Sequence, residues 1–394
     1  MFVPVLLLIL AAIASAILAY GTHPLWAQYS HGLGFIIFSR QFQWPLAAFA
    51  ILMCLVLLGL VVSGRRRAWW LIGLGPVLAL FAHRFARDNL SGFNILDNPS
   101  IVSADQASFV GDDDYVVGLV FNDAAWAYPY FALYGNPVIV QADREKRMIL
   151  IWSAFANRAV AWSITRELYA RDLEIVSVPA NSLLVYNSKY GEFIYGITAQ
   201  THRGRKPSGF AAPIPVTKCT WREWKTKHPG TRVLAINVPQ GSRIPNGPLR
   251  PWFPMPKLAG TDGADTPIAL LPTTQPIALP VARLTDKPLN VSAGGLPLLI
   301  FVDRSAGQVR VFDRRFDNLA PKFRLIIDRA DRRRHPQAYL IDSETNSGWL
   351  ADGRAIDGPA FRQKKQLAAV ALDGGLTWGI MKTWMPSLTL LSLE

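Results

Sequence analysis

The sequence predicts an anchor of three transmembrane α-helices followed by a mainly-β extracytoplasmic domain, α+β only in a minor part, built from two tandem repeats. Three observations predict it. Residues 2–20 and 44–62 hold no charged side chain over 19 positions each, and at about 1.5 Å per residue either run crosses a hydrocarbon core of about 30 Å. Beyond residue 115 the pattern turns to short runs of β-branched and aromatic residues bounded by Gly, Pro, Asn or Asp, which is strand composition. Finally, sequence segments recur in the same order at offsets of 151 and then 157 residues, the mark of an internal duplication.

Composition agrees with an anchor. The 394 residues are 51% hydrophobic and 18% charged, with a mean hydropathy of +0.19. That is too apolar for an ordinary soluble domain and excludes a disordered chain. Forty-one Lys and Arg against 28 Asp and Glu give a net charge of +13. Six of those cations (Arg40, Arg65, Arg66, Arg67, Arg84 and Arg87) fall within the first 87 residues, where no acidic residue occurs, leaving +7 for the rest. The Arg65–Arg67 cluster between the second and third runs faces the cytoplasm by the positive-inside rule. The N-terminus is then cytoplasmic, and the 21–43 loop and everything after the third run are periplasmic or extracytoplasmic. This predicts a protein of the inner (cytoplasmic) membrane. With no Lys or Arg between Met1 and the first apolar run, the segment reads as a retained anchor rather than a signal peptide.

The third run, residues 68–82, is short and contains Gly73, Gly75 and Pro76. A re-entrant or interfacial segment is the alternative. Its flanks favour spanning, with Trp69 and Trp70 at one end and His83, Arg84 and Arg87 at the other, residue types that anchor at membrane interfaces. The basic runs farther on, Arg203–Lys206 and Arg332–Arg334, are short and not interleaved with aromatics, so a nucleic-acid partner is not expected. They read as solvated loops, with contact to acidic lipid headgroups as the other possibility.

The domains follow as an anchor at 1–87, a first β-rich repeat at 88–238, a Pro-rich connector at 239–264 and a second β-rich repeat at 265–394. Residues 91–100 form a polar tether, and Ser103 with Gln106 has the spacing of a capping box opening a short helix. Strands are expected at 116–121, 138–141, 148–152, 159–164 and 174–178, with a hairpin of 183–187 and 192–198. Helix signal is clear only at 221–227. Eleven prolines between 239 and 288 predict an extended connecting path there. The second block offers strands at 297–303, 308–312, 322–327, 338–341 and 367–372. Ala127–Leu133 aligns with Ala278–Leu284, and Thr220, Trp221, Lys225, Thr226, Pro229 and Leu234 align with Thr377, Trp378, Lys382, Thr383, Pro386 and Leu391.

These segments carry a resemblance. Asn98-Pro-Ser-Ile-Val-Ser-Ala-Asp105, Asp112-Asp-Asp-Tyr-Val-Val-Gly118, Ala125-Trp-Ala-Tyr-Pro129 and Trp221-Arg-Glu-Trp-Lys-Thr-Lys-His-Pro-Gly-Thr231 resemble domain-of-unknown-function family 3179 of bacteria and archaea. So do Asp342-Ser-Glu-Thr-Asn-Ser-Gly-Trp349 and Asp352-Gly-Arg-Ala-Ile-Asp-Gly-Pro359, similar to that family's Asp-x-x-Thr-Gly-Ser-x-Trp and Asp-Gly-x-Ala-x-x-Gly-Pro segments. The resemblance spans roughly residues 95–392. Members often carry a Trp-His-Glu segment and a Tyr-Cys-Pro-Leu-Cys-Gly-Thr segment, a thiol pair fit for a soft metal or redox chemistry. Here the corresponding stretches are 135–137 and 152–158, and the thiols and imidazole are gone.

What remains offers little chemistry. His23 and His31 flank Trp26 and Tyr29 in the first outer loop and are weak metal-ligand candidates, since no acid or thiol is near. His228 suits a helix end, while His202 and His335 sit in Arg-rich loops and read as solvated. Cys54 lies in the second span and Cys219 reads as a small buried side chain. Asp112–Asp114 read as a solvated turn. No nucleophile elbow, zinc-protease helix or phosphate loop is present. No catalytic residue, metal or cofactor is therefore expected.

The remaining signals suit association. Trp252, Phe253 and Met255 stand in the connector, where they either meet a partner or plug a groove between the halves. Gly59, Gly73 and Gly75 allow close helix packing against another membrane protein. The leading expectation is a non-catalytic scaffold or accessory subunit of a larger membrane or extracytoplasmic complex. The alternatives are a metal-handling or redox enzyme with a site between the repeats, and a glycan or lipid binder.

Overall fold

The computed structural model describes residues 2–85, 92–236, 247–253, 255, 263–273, 276–305, 307–317 and 319–393. Arg87, the start of the tether at Ser91, and much of the connector (239–246, 254 and 256–262) lie outside these. The chain divides into two compact units, Met1–Ala259 and Gly260–Glu394.

The first unit opens with three helices long and apolar enough to cross a membrane. These are α1 (Phe2–Tyr20), α3 (Gln43–Val62) and a span of 18 residues that starts as a 3-10 turn at Ala68 and continues as α4 (Leu74–Phe85). Pro76 falls in the first turn of α4, where its missing N–H has no intrahelical partner to lose. α1 packs against both α3 and α4. The buried residues of α1 include Ala11, Ala14, Ser15, Leu18 and Ala19, a helical stripe of mostly small side chains, and those of α3 include Ala47, Ala50 and Leu57. Small side chains let apolar backbones approach where no water is available to drive association. Leu52, Leu55, Ile72 and Leu78 are left exposed, as lipid-facing side chains would be.

Between α1 and α3 the chain forms a 3-10 turn at Pro24–Gln28 and α2 (Gly32–Gln41). These connect the apolar helices to the β structure. Pro24–Gln28 lies against the turn Pro179–Asn181. Arg40 of α2 bonds Glu174 through Nε at 3.1 Å to each carboxylate oxygen and through a closer Nη2 contact, and its guanidinium lies 4.7 Å from the Tyr186 ring centre.

The rest of the first unit is layered. Its middle sheet runs Ile95–Asp97, Val138–Asp143, Lys146–Ser153, Arg158–Ile164 and Phe210–Ile214. Alternate residues point to opposite faces. Val138, Val140, Ile149 and Ile151 meet Ile175, Val185 and Ile194 of a four-stranded sheet on one side. Ile139, Met148, Leu150 and Trp152 meet Val117, Leu119, Trp126 and Tyr128 of a five-stranded sheet on the other. Burial on both faces explains why these strands read as continuous apolar runs. The outer face of that second sheet is covered by the helix Trp221–Lys227, whose Trp221 and Trp224 pack on Val116 and Val233. Gly118 lies directly beneath Trp224, so that a Cβ there would come 2.4 Å from the indole. Gly118→Ala should lower stability by about 1–3 kcal/mol, read as a lower midpoint in thermal unfolding.

Strand order in this covered sheet is Val216–Thr220, Tyr115–Phe121, Ala124–Pro129, Arg232–Leu234, Ile101–Ser103. The first two pairings are antiparallel and the third is parallel, with Arg232 opposite Trp126. In the second unit a sheet runs Asp373–Thr377, Pro267–Leu271, Ile277–Pro280, Thr389–Leu390. Its pairings are antiparallel, antiparallel and parallel, with Thr389 opposite Ile277. The sheet Leu289–Ala293, Leu296–Asp303, Gln308–Asp313, Ala368–Ala369 is again apolar on both faces. One face meets the sheet just described, and the other meets the sheet Phe323–Leu325, Leu340–Asp342, Gly348–Trp349.

Two local expectations need correction. No helix opens at Ser103. Ile101–Ser103 is a strand, and the Ser103 N–H and hydroxyl donate to Gln106 Oε1 at 3.1 and 3.2 Å, closing a turn instead. Only one capping-box bond forms, because the Gln106 N–H donates to the Ser103 carbonyl at 3.1 Å, as in a tight turn, and not to the Ser103 hydroxyl. The proline-rich stretch also contains the strands Pro267–Leu271 and Ile277–Pro280. The prolines sit at the strand ends, where they remove little from the ladder.

Candidate functional site

The stretch that corresponds to the family's thiol segment links two strands of the middle sheet. Strand Lys146–Ser153 ends at Trp152 and Ser153, a 3-10 turn covers Ala154–Ala156, and Asn157 adopts φ 48° before strand Arg158–Ile164. Aligned residue by residue, the two thiols fall on Ser153 and Ala156 and the glycine on Asn157. Asn157 suits this left-handed backbone, since after Gly it is among the residues that best tolerate it. Ser153 Oγ accepts the Leu183 N–H at 3.1 Å, and Ala156 is buried. Trp152 is wholly buried, with its ring 4.6 Å from Tyr130 and 5.0 Å from Tyr134.

Polar groups around this turn fasten it. The Tyr130 hydroxyl donates to Asn157 Oδ1 at 2.8 Å, Lys218 Nζ donates to the Asn157 carbonyl, and the Tyr134 hydroxyl donates to the Gly247 carbonyl of the connector. Burial pushes the Tyr134 hydroxyl up to about 12 and the Arg158 guanidinium down to about 10. Burial, then the Arg158 charge, holds the Lys218 ammonium well below the usual lysine range. Among the described residues no group of three or more His, Cys, Asp and Glu is placed to hold a metal ion.

The second unit shows what its two family-like segments do. Asp342, 1% exposed, accepts from the Thr345 N–H at 2.5 Å, the Thr345 hydroxyl at 2.7 Å, the Ser347 N–H at 3.2 Å and Trp349 Nε1 at 2.9 Å. Asn346 takes φ 52° where the family pattern has Gly. In the following segment Asp357 accepts the Gly348 N–H at 2.5 Å, and a Cβ on Gly353 would sit 2.6 Å from the Phe312 ring. Both segments thus form one hydrogen-bonded knot around the fully buried Trp349. A profile described as "Protein of unknown function (DUF3179)" matches residues 92–373. The chain belongs to that family. No curated protein and no solved structure matches it.

In this DUF3179 chain the knot corrects the reading of His335 as solvated. His335 is 6% exposed, and its Nδ1 lies 2.6 Å from Asp357 Oδ1. The signal was a partner 22 residues downstream, which local sequence cannot display. Ser347 is close by, yet it is no nucleophile. Thr345 spends its proton on Asp342, so the Ser347 hydroxyl donates to Thr345 while accepting the Ala360 N–H at 3.0 Å. His202 is also partly buried, its ring edge-on to Phe193 at 5.9 Å, and burial followed by the Arg203 charge lowers its pKa.

The other sequence candidates fall as follows. His23 caps the Pro24–Gln28 turn, its Nδ1 accepting the Leu25 N–H at 3.3 Å, and His31 sits at φ 63° before α2. His228 ends the Trp221–Lys227 helix with its ring 4.2 Å from Trp224. Burial, then Glu223, pushes the Cys219 thiol up to about 11, which leaves it inert as a nucleophile. The Asp112–Asp114 turn carries Arg222 on Asp112 and Asp113. Gly73 is used within the chain, since a Cβ there would meet Leu8 at 2.6 Å, whereas Gly59 and Gly75 face open space.

The connector residues separate into two roles. Phe253 packs on the first unit's own core, its ring 5.2 Å from Phe155. Asn181 Oδ1 accepts both the Trp252 and Phe253 N–H groups at 2.8 Å, and its Nδ2 donates to the Phe253 carbonyl at 2.8 Å. Trp252, held by that clamp, is 77% exposed, and Met255 is half-buried. Sequence reasoning missed the Asn181 clamp, which joins residues more than 70 positions apart.

Proposed function

We propose that this DUF3179 protein is a membrane-anchored extracytoplasmic scaffold or accessory subunit, non-catalytic, that docks on another protein of the same membrane through the surface around Trp252. One observation carries the reading. A tryptophan 77% exposed on a backbone fixed by three hydrogen bonds to one buried asparagine presents a large apolar group at little entropic cost, which is how interface anchors work. The turn at 152–158, where the resemblance would put a thiol pair, is closed by packing, which supports the same reading. A photo-cross-linking amino acid at position 252 should give one discrete protein adduct in intact cells. Adducts to lipid alone, or none, would count against docking.

The β units read as two copies of one module. Subtracting 151 from Ile277 and 157 from Thr389 returns Trp126 and Arg232, the parallel pair of the first unit. Strand order and pairing sense agree as well. Three apolar helices with Arg65–Arg67 between the second and third support an inner-membrane anchor with the β units outside. The contacts of Pro24–Gln28 and Arg40 with the β structure of the first unit support a 21–43 loop on the same side of the membrane as that β structure. A periplasm-dependent reporter fused after Glu394 should be active, and activity only of a cytoplasmic reporter would reverse the topology.

A further inference from the structure

A pocket of about 510 Å³ opens in the first unit between the edge strand Ile101–Ser103, the start of strand Arg232–Leu234 and the turn after strand Val138–Asp143. Its size lies within the range that takes small ligands, roughly 300–1,000 Å³. The indole of Trp126 forms part of the wall, covered by the Arg232 guanidinium at 4.8 Å. Arg232 Nη1 donates to Asp143 Oδ1 at 2.8 Å and Asn122 Nδ2 donates to Asp143 Oδ2 at 2.8 Å, so both oxygens of that carboxylate are engaged. Burial alone would raise the Asp143 pKa, but the bonds from Arg232 and Asn122 and the nearby Arg144 charge hold it below the usual carboxylate range.

Two features of the lining lack a counterpart. Gln141 is 6% exposed, and although its Nε2 donates to the Ala142 carbonyl at 3.1 Å, its Oε1 is buried with no donor. A buried acceptor left unmet is costly, so a site that keeps one is built to receive a donor. Arg144, exposed on a left-handed turn at φ 57°, makes no ion pair among the described residues. With Asp143 spent on Arg232, the pocket keeps one surplus positive charge. It offers a guanidinium to an acid and an amide oxygen to a hydroxyl.

We propose that this pocket binds a small hydroxylated carboxylate, the chemistry of an acidic sugar, with the carboxylate on Arg144 and Arg232 and a hydroxyl donating to Gln141 Oε1. Such a group comes either from a free hydroxy acid or from the end of an acidic polysaccharide outside the membrane. The inference is independent of docking at Trp252.

Calorimetric titration of the full chain in detergent tests it with D-galacturonate, D-galactose and acetate. Saturable galacturonate binding is expected, at least tenfold tighter than either of the other two. Gln141→Leu, Gln141→Glu and Arg144→Ala should each weaken it at least tenfold. Arg144 is exposed, so its variant keeps the test valid if a Gln141 variant fails to fold. Digalacturonate binding tighter than the monomer assigns the polysaccharide, and equal affinity assigns the free acid. No saturable galacturonate binding, equal binding of galactose, or unchanged affinity in Arg144→Ala would overturn the proposal.

Discussion

Asp342→Ala should lower the stability of the second β unit by about 3–5 kcal/mol, because several donors lose a charged acceptor at about 1–3 kcal/mol each. Four donors converge on this 1% exposed carboxylate. Alanine leaves the buried Trp349 Nε1–H and Ser347 N–H and the partly buried Thr345 N–H without this acceptor, a buried one costing about 1–3 kcal/mol. In thermal unfolding this amounts to a fall of roughly 10 °C or more for a unit of this size. Asp342→Asn keeps the shape but turns a donor toward donors, so it should recover only part of the loss. A midpoint within a degree or two of the parent in Asp342→Ala would refute the structural role given to the Asp-x-x-Thr-x-Ser-x-Trp segment.

Arg40→Glu should produce the second large effect, loosening the apolar helices from the first β unit. Arg40 is 13% exposed and Glu174 38%. The bidentate pairing and the Tyr186 ring contact favour the guanidinium, although solvent at Glu174 reduces its worth to about 1–2 kcal/mol. Reversing the charge adds repulsion to that loss. The expected readouts are a lower unfolding midpoint and faster proteolysis within residues 21–43. Combining Arg40→Glu with Glu174→Arg should restore most of both. If the double variant is no better than the single one, the two side chains do not act as a pair.

Much of this was legible in sequence because the physics is local. An uncharged apolar run of about 20 residues has few alternatives to a spanning helix. The middle sheet announced itself as Val138–Ile139–Val140 and Met148–Ile149–Leu150–Ile151–Trp152, since burial on both faces removes the alternation that other strands show. The Ser188–Gly191 hairpin turn was visible because Gly191 supplies φ 66°. What was not legible depends on distant partners. His335 looks solvated beside three arginines until Asp357 arrives 22 residues later. Arg40 reads as a topology marker, yet its bond spans 134 residues. Ser103 and Gln106 carry a helix-start pattern that serves a turn, because the bond from the Ser103 N–H to the Gln106 side chain fits both. Trp252 and Phe253 are adjacent and chemically alike, and only the orientation set by Asn181 sends one into the core and the other to the surface.

The most direct test of the central claim is the mass of the protein after mild solubilisation in its native membrane, by native mass spectrometry or by light scattering on a sizing column. The account predicts a defined assembly in which the chain stands in fixed stoichiometry with a second protein, and in which Trp252→Ala reduces the assembled fraction several-fold while the chain stays folded. A folded chain that runs alone under several gentle detergents, with the parent and Trp252→Ala indistinguishable, would contradict it.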